Sequence, residues 1–72
     1  MIEERAFYGC INLEKVVISG NVEIIGENAF ASCTKLNTVV LENGIKNIGD
    51  SVFYSCQALT TVVIPDSVEV LG

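Results

Sequence analysis

The three cysteines of this 72-residue chain are the side chains whose regular spacing first suggests catalysis or metal binding. Cys10, Cys33 and Cys56 follow one another at intervals of 23 residues. A cysteine nucleophile needs a neighbouring base, and the chain contains no histidine. A zinc site needs a fourth ligand and usually a Cys-x-x-Cys pair, and the sequence has neither. We therefore predict no catalytic residue and no metal ligand among them.

Equal spacing also predicts that the three thiols form a column. Equivalent residues of stacked repeats lie about 5 Å apart, a distance at which a disulfide can form. Equivalent side chains point in parallel, however, and the adjoining phenylalanines indicate an apolar setting in which thiols stay protonated. We predict buried free thiols, with one disulfide or a bound metal ion as the alternatives.

Two further motifs resemble sites for calcium or a phosphate group, but each has a simpler structural explanation. Glu4, Glu27 and Asp50 form a carboxylate column that could hold calcium, but first-turn acids also stabilise a helix through its dipole. Residues 44–51 resemble a phosphate-binding loop, but Asp50 stands where that loop needs a lysine. We predict neither calcium nor nucleotide binding, and no cofactor.

The whole chain repeats with the period of the cysteines, which shows how these residues are positioned. The shared columns include Phe7, Phe30 and Phe53; Leu13, Leu36 and Leu59; Val16, Val39 and Val62; Ile25, Ile48 and Leu71; and Gly26, Gly49 and Gly72. Fixed apolar positions at a period of about 20 to 30 residues predict a solenoid whose coils complete one another's core. The predicted coils are residues 2–24, 25–47 and 48–70, with 71–72 beginning a fourth.

Each coil contains signals for the same local elements. Leu13-x-x-Val16-Val17-Ile18 is β-branched and predicts a strand with Leu13, Val16 and Ile18 facing the core. Turn-forming residues follow, and residues 22–26 predict a second extended run. Residues 27–33 place apolar side chains at helical spacing and predict one or two turns of helix. Phe30 is predicted to be buried between the phenylalanines of the neighbouring coils.

The unit Ile-Gly-x-x-Ala-Phe-x-x-Cys-x-x-Leu-x-x-Val-x-Ile-Pro resembles the BspA-like leucine-rich repeat of long surface proteins in bacteria and some protists. The resemblance covers the whole chain. It implies an α/β fold: a right-handed solenoid of three coils with a parallel β-sheet and short helical turns. It also implies adhesion or recognition rather than catalysis, and an extracellular or cell-surface location. Glu3 stands at the position of Gly26, a substitution that we expect a coil to tolerate.

Composition narrows the classes of partner. Nine acidic against four basic residues give a net charge of −5, which disfavours binding to nucleic acid. The apolar runs are far shorter than the ~20 residues that span a bilayer, so no membrane insertion is predicted. The acidic start Met1-Ile2-Glu3-Glu4 does not resemble a signal peptide, so we expect none within this chain.

The face of the predicted strands that does not pack against the core is available for binding. The expected concave binding surface comprises Lys15, Val17, Ser19, Thr38, Val40, Glu42, Thr61, Val63 and Pro65. Exposed valines suit strand geometry in any protein, whereas contiguous exposed apolar area tends to mark interaction sites. We predict a non-enzymatic module from a larger cell-surface protein that binds protein or glycan there. The alternative is a purely structural spacer with no ligand of its own.

The two ends of the repeat array predict self-association. Residue 2 and residues 71–72 occupy the same phase of the repeat, so we expect an apolar face without a covering coil at each end. These faces could join head-to-tail, which does not close, or as a two-fold dimer. The sequence alone does not choose between the two arrangements.

Overall fold

Two small parallel β-sheets form the framework of the protein, and the computed structural model describes all residues from 1 to 72. The elements in chain order are β1 (Lys15–Ile18), a 3-10 helix (Gly20–Val22), β2 (Ile24–Ile25), β3 (Thr38–Leu41), β4 (Asn47–Ile48), β5 (Thr61–Val63) and β6 (Val70–Leu71). The first sheet has the order β1-β3-β5 and the second the order β2-β4-β6. Every strand pairing is parallel, as the sequence predicted.

The register of both sheets follows the 23-residue period. In the first sheet Val17 pairs with Val40, which pairs with Val63. In the second sheet Ile25 pairs with Ile48, which pairs with the equivalent leucine of β6. Equivalent residues of successive repeats therefore lie side by side, which confirms the predicted parallel sheet and its alignment.

The core unites inward-facing residues of both sheets with residues of the connecting turns. Its buried members are Ile18, Ile25, Ala29, Phe30, Cys33, Leu36, Val39, Leu41, Ile45, Ile48 and Val52. Phe30 is only 1% exposed and stacks on Phe7 and Phe53, with ring centroids 5.1 and 5.9 Å apart. The predicted phenylalanine stack is confirmed. Because the buried residues belong mainly to the middle repeat, each repeat depends on neighbours to complete its core.

The short helices predicted for residues 27–33 and their copies are wrong. These segments are successions of tight turns, and the single 3-10 helix lies where a reversing turn was predicted. The dipole argument for the acidic column therefore fails, since Glu27 does not begin a helix. Glu4, Glu27 and Asp50 are exposed, and no group of acidic or cysteine side chains is arranged to hold a metal ion.

Hydrogen bonding between repeats explains why turns replace the helix. The amides of Ala29, Ala31 and Cys33 donate to carbonyls three residues earlier, and the alternate amides of Asn28, Phe30 and Ser32 donate to the third repeat. An α-helix over residues 27–33 would bond the amides of its second turn to carbonyls four residues earlier and point the unpaired amides of its first turn along its own axis rather than toward the adjacent repeat. A succession of turns lets alternate amides bond within the repeat and to the next repeat. The helical spacing of the apolar residues is therefore a consequence of the turns.

This alternation requires left-handed backbone at two positions of each repeat. One set is Arg5, Asn28 and Ser51, with φ between 56° and 58°, and the other is Gly9, Ser32 and Ser55, with φ between 60° and 71°. Glycine adopts this conformation freely and asparagine tolerates it, whereas other residues are strained by roughly 1–2 kcal/mol. The serines therefore store strain that the contacts between repeats offset.

The glycine column marks a close approach between repeats. A Cβ at Gly26 would lie 2.6–2.9 Å from backbone atoms of Ile2, Glu3 and Glu4, and Gly49 meets the second repeat in the same way. Real Cβ atoms essentially never approach backbone so closely. A coil packed against a preceding repeat therefore has no room for a side chain in this column. Glu3 fits here because no repeat of this chain lies against it.

Candidate interaction surface

The outward face of the first sheet combines exposure with regular spacing. Side chains alternate along each strand, and in β3 the residues Val39 and Leu41 are buried while Val40 is partly exposed. Val17 and Val63, its partners in the neighbouring strands, are 54% and 49% exposed. In the middle repeat strand alternation therefore turns Val39 to the core and Val40 outward, in line with the exposed Val17 and Val63.

Strand register places two of the predicted columns next to each other. Lys15 pairs with Thr38, which pairs with Thr61, and the valine row runs beside them two residues further along each strand. Neighbouring strands lie about 4.8 Å apart, so each column presents its side chains at that interval. The face offers one cation, two hydroxyl groups and a continuous apolar row.

The third predicted column lies just beyond the ends of the strands. Ser19 is exposed, but its Oγ accepts a hydrogen bond of 3.2 Å from the amide of Asn21 and caps the 3-10 helix. Glu42 is exposed and Pro65 is partly buried. Within this column Glu42 is therefore the polar side chain with the most freedom to contact a ligand.

The structure adds one residue that sequence reasoning missed. Asn37 lies directly before β3, and its Oδ1 accepts a hydrogen bond of 2.7 Å from the hydroxyl of Thr38. Its backbone carbonyl accepts a second hydrogen bond, of 3.2 Å, from the hydroxyl of Thr60. Asn37 therefore fixes the orientation of Thr38, whereas the Thr61 hydroxyl has no partner within the chain. The equivalent residues Glu14 and Thr60 are not asparagines, so the repeat gave no signal for this role.

The cysteine column is structural in its contacts. All three thiols are free. The Sγ of Cys33 donates to the carbonyl of Phe7 at 3.2 Å, and the Sγ of Cys56 donates to that of Phe30 at 3.1 Å. Burial raises the pKa of both thiols above the ordinary 9.0, which keeps them protonated and poorly nucleophilic. Cys33 and Cys56 thus link neighbouring repeats as hydrogen-bond donors.

A second apolar feature lies at the end of the third repeat. An open cavity of about 340 Å³ is lined mainly by hydrophobic side chains. Phe53, Val62, Ile64 and Leu71 contribute to it together with Val52. Its position is the one that a following repeat would cover, and it does not overlap the outward valine row.

Comparison with known proteins agrees with the repeat geometry. Residues 1–72 match the family described as the BspA type leucine rich repeat region (6 copies). The chain belongs to this family. No curated protein and no solved structure matches the chain.

Membership in the BspA-type family sets broad bounds on function. Leucine-rich repeats generally mediate protein interaction, and this family is typically non-enzymatic and often found in surface proteins. No helix of the BspA-type chain is both long and apolar enough to cross a membrane. A role in protein interaction directs attention to exposed apolar surface, and the outward face of the first sheet provides such a surface.

Proposed function

We propose that this BspA-type repeat segment is a non-enzymatic adhesion module of a cell-surface protein. It binds a protein or glycan through the outward face of its first sheet, which forms the concave side of the solenoid. The observation that carries this proposal is the in-register row of Val17, Val40 and Val63, in which the outer two valines are about half exposed and Val40 is partly exposed, although its neighbours Val39 and Leu41 are buried.

The composition of this face fits a protein ligand. Aligned valines provide apolar area, and contiguous apolar area on a protein surface tends to mark an interaction site. Lys15 at one edge and Glu42 at the other provide opposite charges, which set the orientation of a bound chain. Thr61 provides a hydroxyl without an internal partner, available to a peptide carbonyl or a sugar hydroxyl.

Selection from a random peptide library displayed on phage tests this proposal, with a glycan array as a second arm. The probe is the wild-type chain, and counter-selection uses Val40→Lys, which places a charge at the centre of the row. Ile11→Lys is the matched control, since Ile11 is 58% exposed and lies outside the first sheet. Circular dichroism establishes that both variants keep the fold.

We expect ligands that bind wild type and Ile11→Lys equally and that lose roughly tenfold or more in affinity for Val40→Lys. The same result with glycans would assign the face to carbohydrate. If no peptide or glycan distinguishes Val40→Lys from wild type, the spacer alternative is supported and the adhesion proposal fails.

We also propose that residues 2–24, 25–47 and 48–70 are three coils of a right-handed solenoid, with 71–72 beginning a fourth. The parallel pairing of equivalent strands at an interval of 23 residues supports three coils of this length, with the strands of the second sheet spanning the junctions between coils. Duplication of residues 25–47 should then extend the array and raise its free energy of unfolding, because repeat stability sums over coils and their contacts. A duplicated chain that unfolds more easily than the parent would contradict the assignment.

A further inference from the structure

The turn after β3 contains the one position of the chain at which asparagine precedes glycine, Asn43-Gly44. Asn43 is exposed, and its side-chain amide makes no hydrogen bond within the chain. Gly44 has a φ of 117°, a conformation that glycine adopts freely. The five other asparagines precede residues that carry a side chain: Asn12, Asn21, Asn28, Asn37 and Asn47.

An asparagine that precedes glycine is chemically labile, because no side chain on the next residue hinders attack by its backbone nitrogen. Here the nitrogen of Gly44 would bond to Cγ of Asn43 and close a cyclic imide. The Cγ–Nδ2 bond would break, and ammonia would leave with the proton of the Gly44 amide. Water then opens the imide at Cγ to give aspartate, or at the backbone carbonyl to give isoaspartate, in which the chain runs through Cβ and Cγ.

The third repeat contacts the nitrogen that must attack. The amide of Gly44 donates a hydrogen bond of 2.9 Å to Oγ of Ser67, whose hydroxyl donates one of 2.8 Å to the carbonyl of Ile45. Ser67 is half-buried and Ile45 is fully buried, so this pair of bonds is partly shielded from water. The Gly44 amide must lose its proton and turn toward Asn43 to react, and the bond to Ser67 opposes both steps.

This contact belongs to the junction between the second and third repeats. Gly44 and Ser67 occupy the same position of successive repeats, and their equivalent in the first repeat is Asn21. Gly44 has no hydroxyl to offer Asn21, whose amide donates to Ser19 in its own repeat. Within this chain, one junction therefore sets a serine of the following repeat against the reactive amide.

We propose that Asn43 is a modification site, at which the chain deamidates through the cyclic imide when Ser67 releases the Gly44 amide. Ser67 is a positioning residue: it sets the rate by binding the attacking group and takes no part in making or breaking the bonds. Because Ser67 belongs to the third repeat, deamidation follows the opening of the junction between the second and third repeats.

The two products affect the packing of the turn differently. A Cβ at Gly44 would lie 2.7–3.1 Å from backbone atoms of Gly20, and the Asn43 carbonyl also lies against Gly20. Aspartate leaves the backbone unchanged, and the third repeat carries Asp66 at the equivalent position. Isoaspartate adds a methylene to the backbone where the neighbouring repeat leaves no room. A chain that contains isoaspartate should therefore unfold more easily than the variant Asn43→Asp.

Peptide mapping by mass spectrometry measures modification at each asparagine of the full chain during incubation in mildly alkaline buffer. Enzymatic methylation of isoaspartate measures that product separately. Ser67→Ala removes the contact with Gly44, and Ser67→Thr retains the hydroxyl. Ile18→Val is the control for stability, because it trims a buried side chain of the first repeat, at a cost similar to that of one hydrogen bond, and leaves the contact intact. Incubation in urea gives the rate in the unfolded chain.

We expect modification at Asn43 while the five other asparagines stay intact. Ser67→Ala should deamidate roughly fivefold to tenfold faster than wild type, the factor that corresponds to one hydrogen bond, and Ser67→Thr and Ile18→Val should stay close to wild type. In urea all four chains should react at one rate, above that of the folded wild type.

Equal rates for folded Ser67→Ala and wild type would overturn the role of Ser67, and so would an equal acceleration by Ile18→Val, since general destabilisation would then explain both. The comparison of wild type with and without urea tests the proposal without any variant. An Asn43 that reacts no faster in urea than in the folded chain would contradict it.

Discussion

Replacement of Phe30 by alanine removes the central ring of the phenylalanine stack. Phe30 is almost fully buried and contacts a ring on each side, so no neighbour can move in from solvent to fill the space. Phenylalanine-to-alanine changes at such sites cost about 3–5 kcal/mol. A chain of this size has a total stability of roughly 4–11 kcal/mol, at about 0.05–0.15 kcal/mol per residue. Phe30→Ala should therefore remove a large part of the total.

Urea denaturation followed by circular dichroism measures this loss. Phe7→Ala is the matched control, because Phe7 is partly exposed and stacks on one ring only. It should cost about half as much, roughly 1.5–2.5 kcal/mol. Equal losses for the two variants would refute the reasoning, since they would show that Phe30 gains nothing from its position between two repeats.

Three further predictions concern the backbone and the thiols. Gly49→Ala should destabilise the fold by more than Gly9→Ala in urea denaturation, because a Cβ at Gly49 meets backbone whereas Gly9 has open space and only a positive φ to satisfy. Ser55→Gly should relieve left-handed strain and raise the free energy of unfolding by about 1 kcal/mol at most, which a higher thermal midpoint would show; a lower midpoint would contradict the strain argument. The raised pKa values of Cys33 and Cys56 mean that the unfolded chain releases its thiol protons first. The contribution of these two thiols to the free energy of unfolding should therefore be fully present at neutral pH and be lost as the pH rises above about 9, and replacing both thiols by alanine should reduce that loss.

The repeat itself predicted the sheets. A 23-residue interval between equivalent valines fixes which residues pair in parallel strands, and the alternation in Val16-Val17-Ile18 fixes which side chains face outward. Both inferences need only local pattern and strand geometry. The valine row of the candidate surface followed from the same alternation.

The turns could not be predicted in this way. Apolar residues at Ala29, Phe30 and Cys33 fit a helix and a succession of turns equally well in spacing. The choice depends on where the amides of residues 28–32 find acceptors, and those acceptors belong to the next repeat. A contact between repeats therefore overrides the local signal.

Three details could not be predicted from the sequence for a similar reason. The capping role of Ser19 and the orienting role of Asn37 depend on hydrogen-bond geometry that a repeat pattern does not encode. The restriction on Glu3 appears only once the distance between neighbouring backbones is known.

Amide hydrogen exchange followed by NMR tests most directly the claim that each repeat is completed by the next one. In dilute protein, the amides of Phe30 and Ser32 should be protected because they donate to the third repeat, while those of Phe53 and Ser55 should exchange freely. Equal protection of the two pairs in dilute protein would contradict the account, because it would show that the amides find their acceptors within their own repeat.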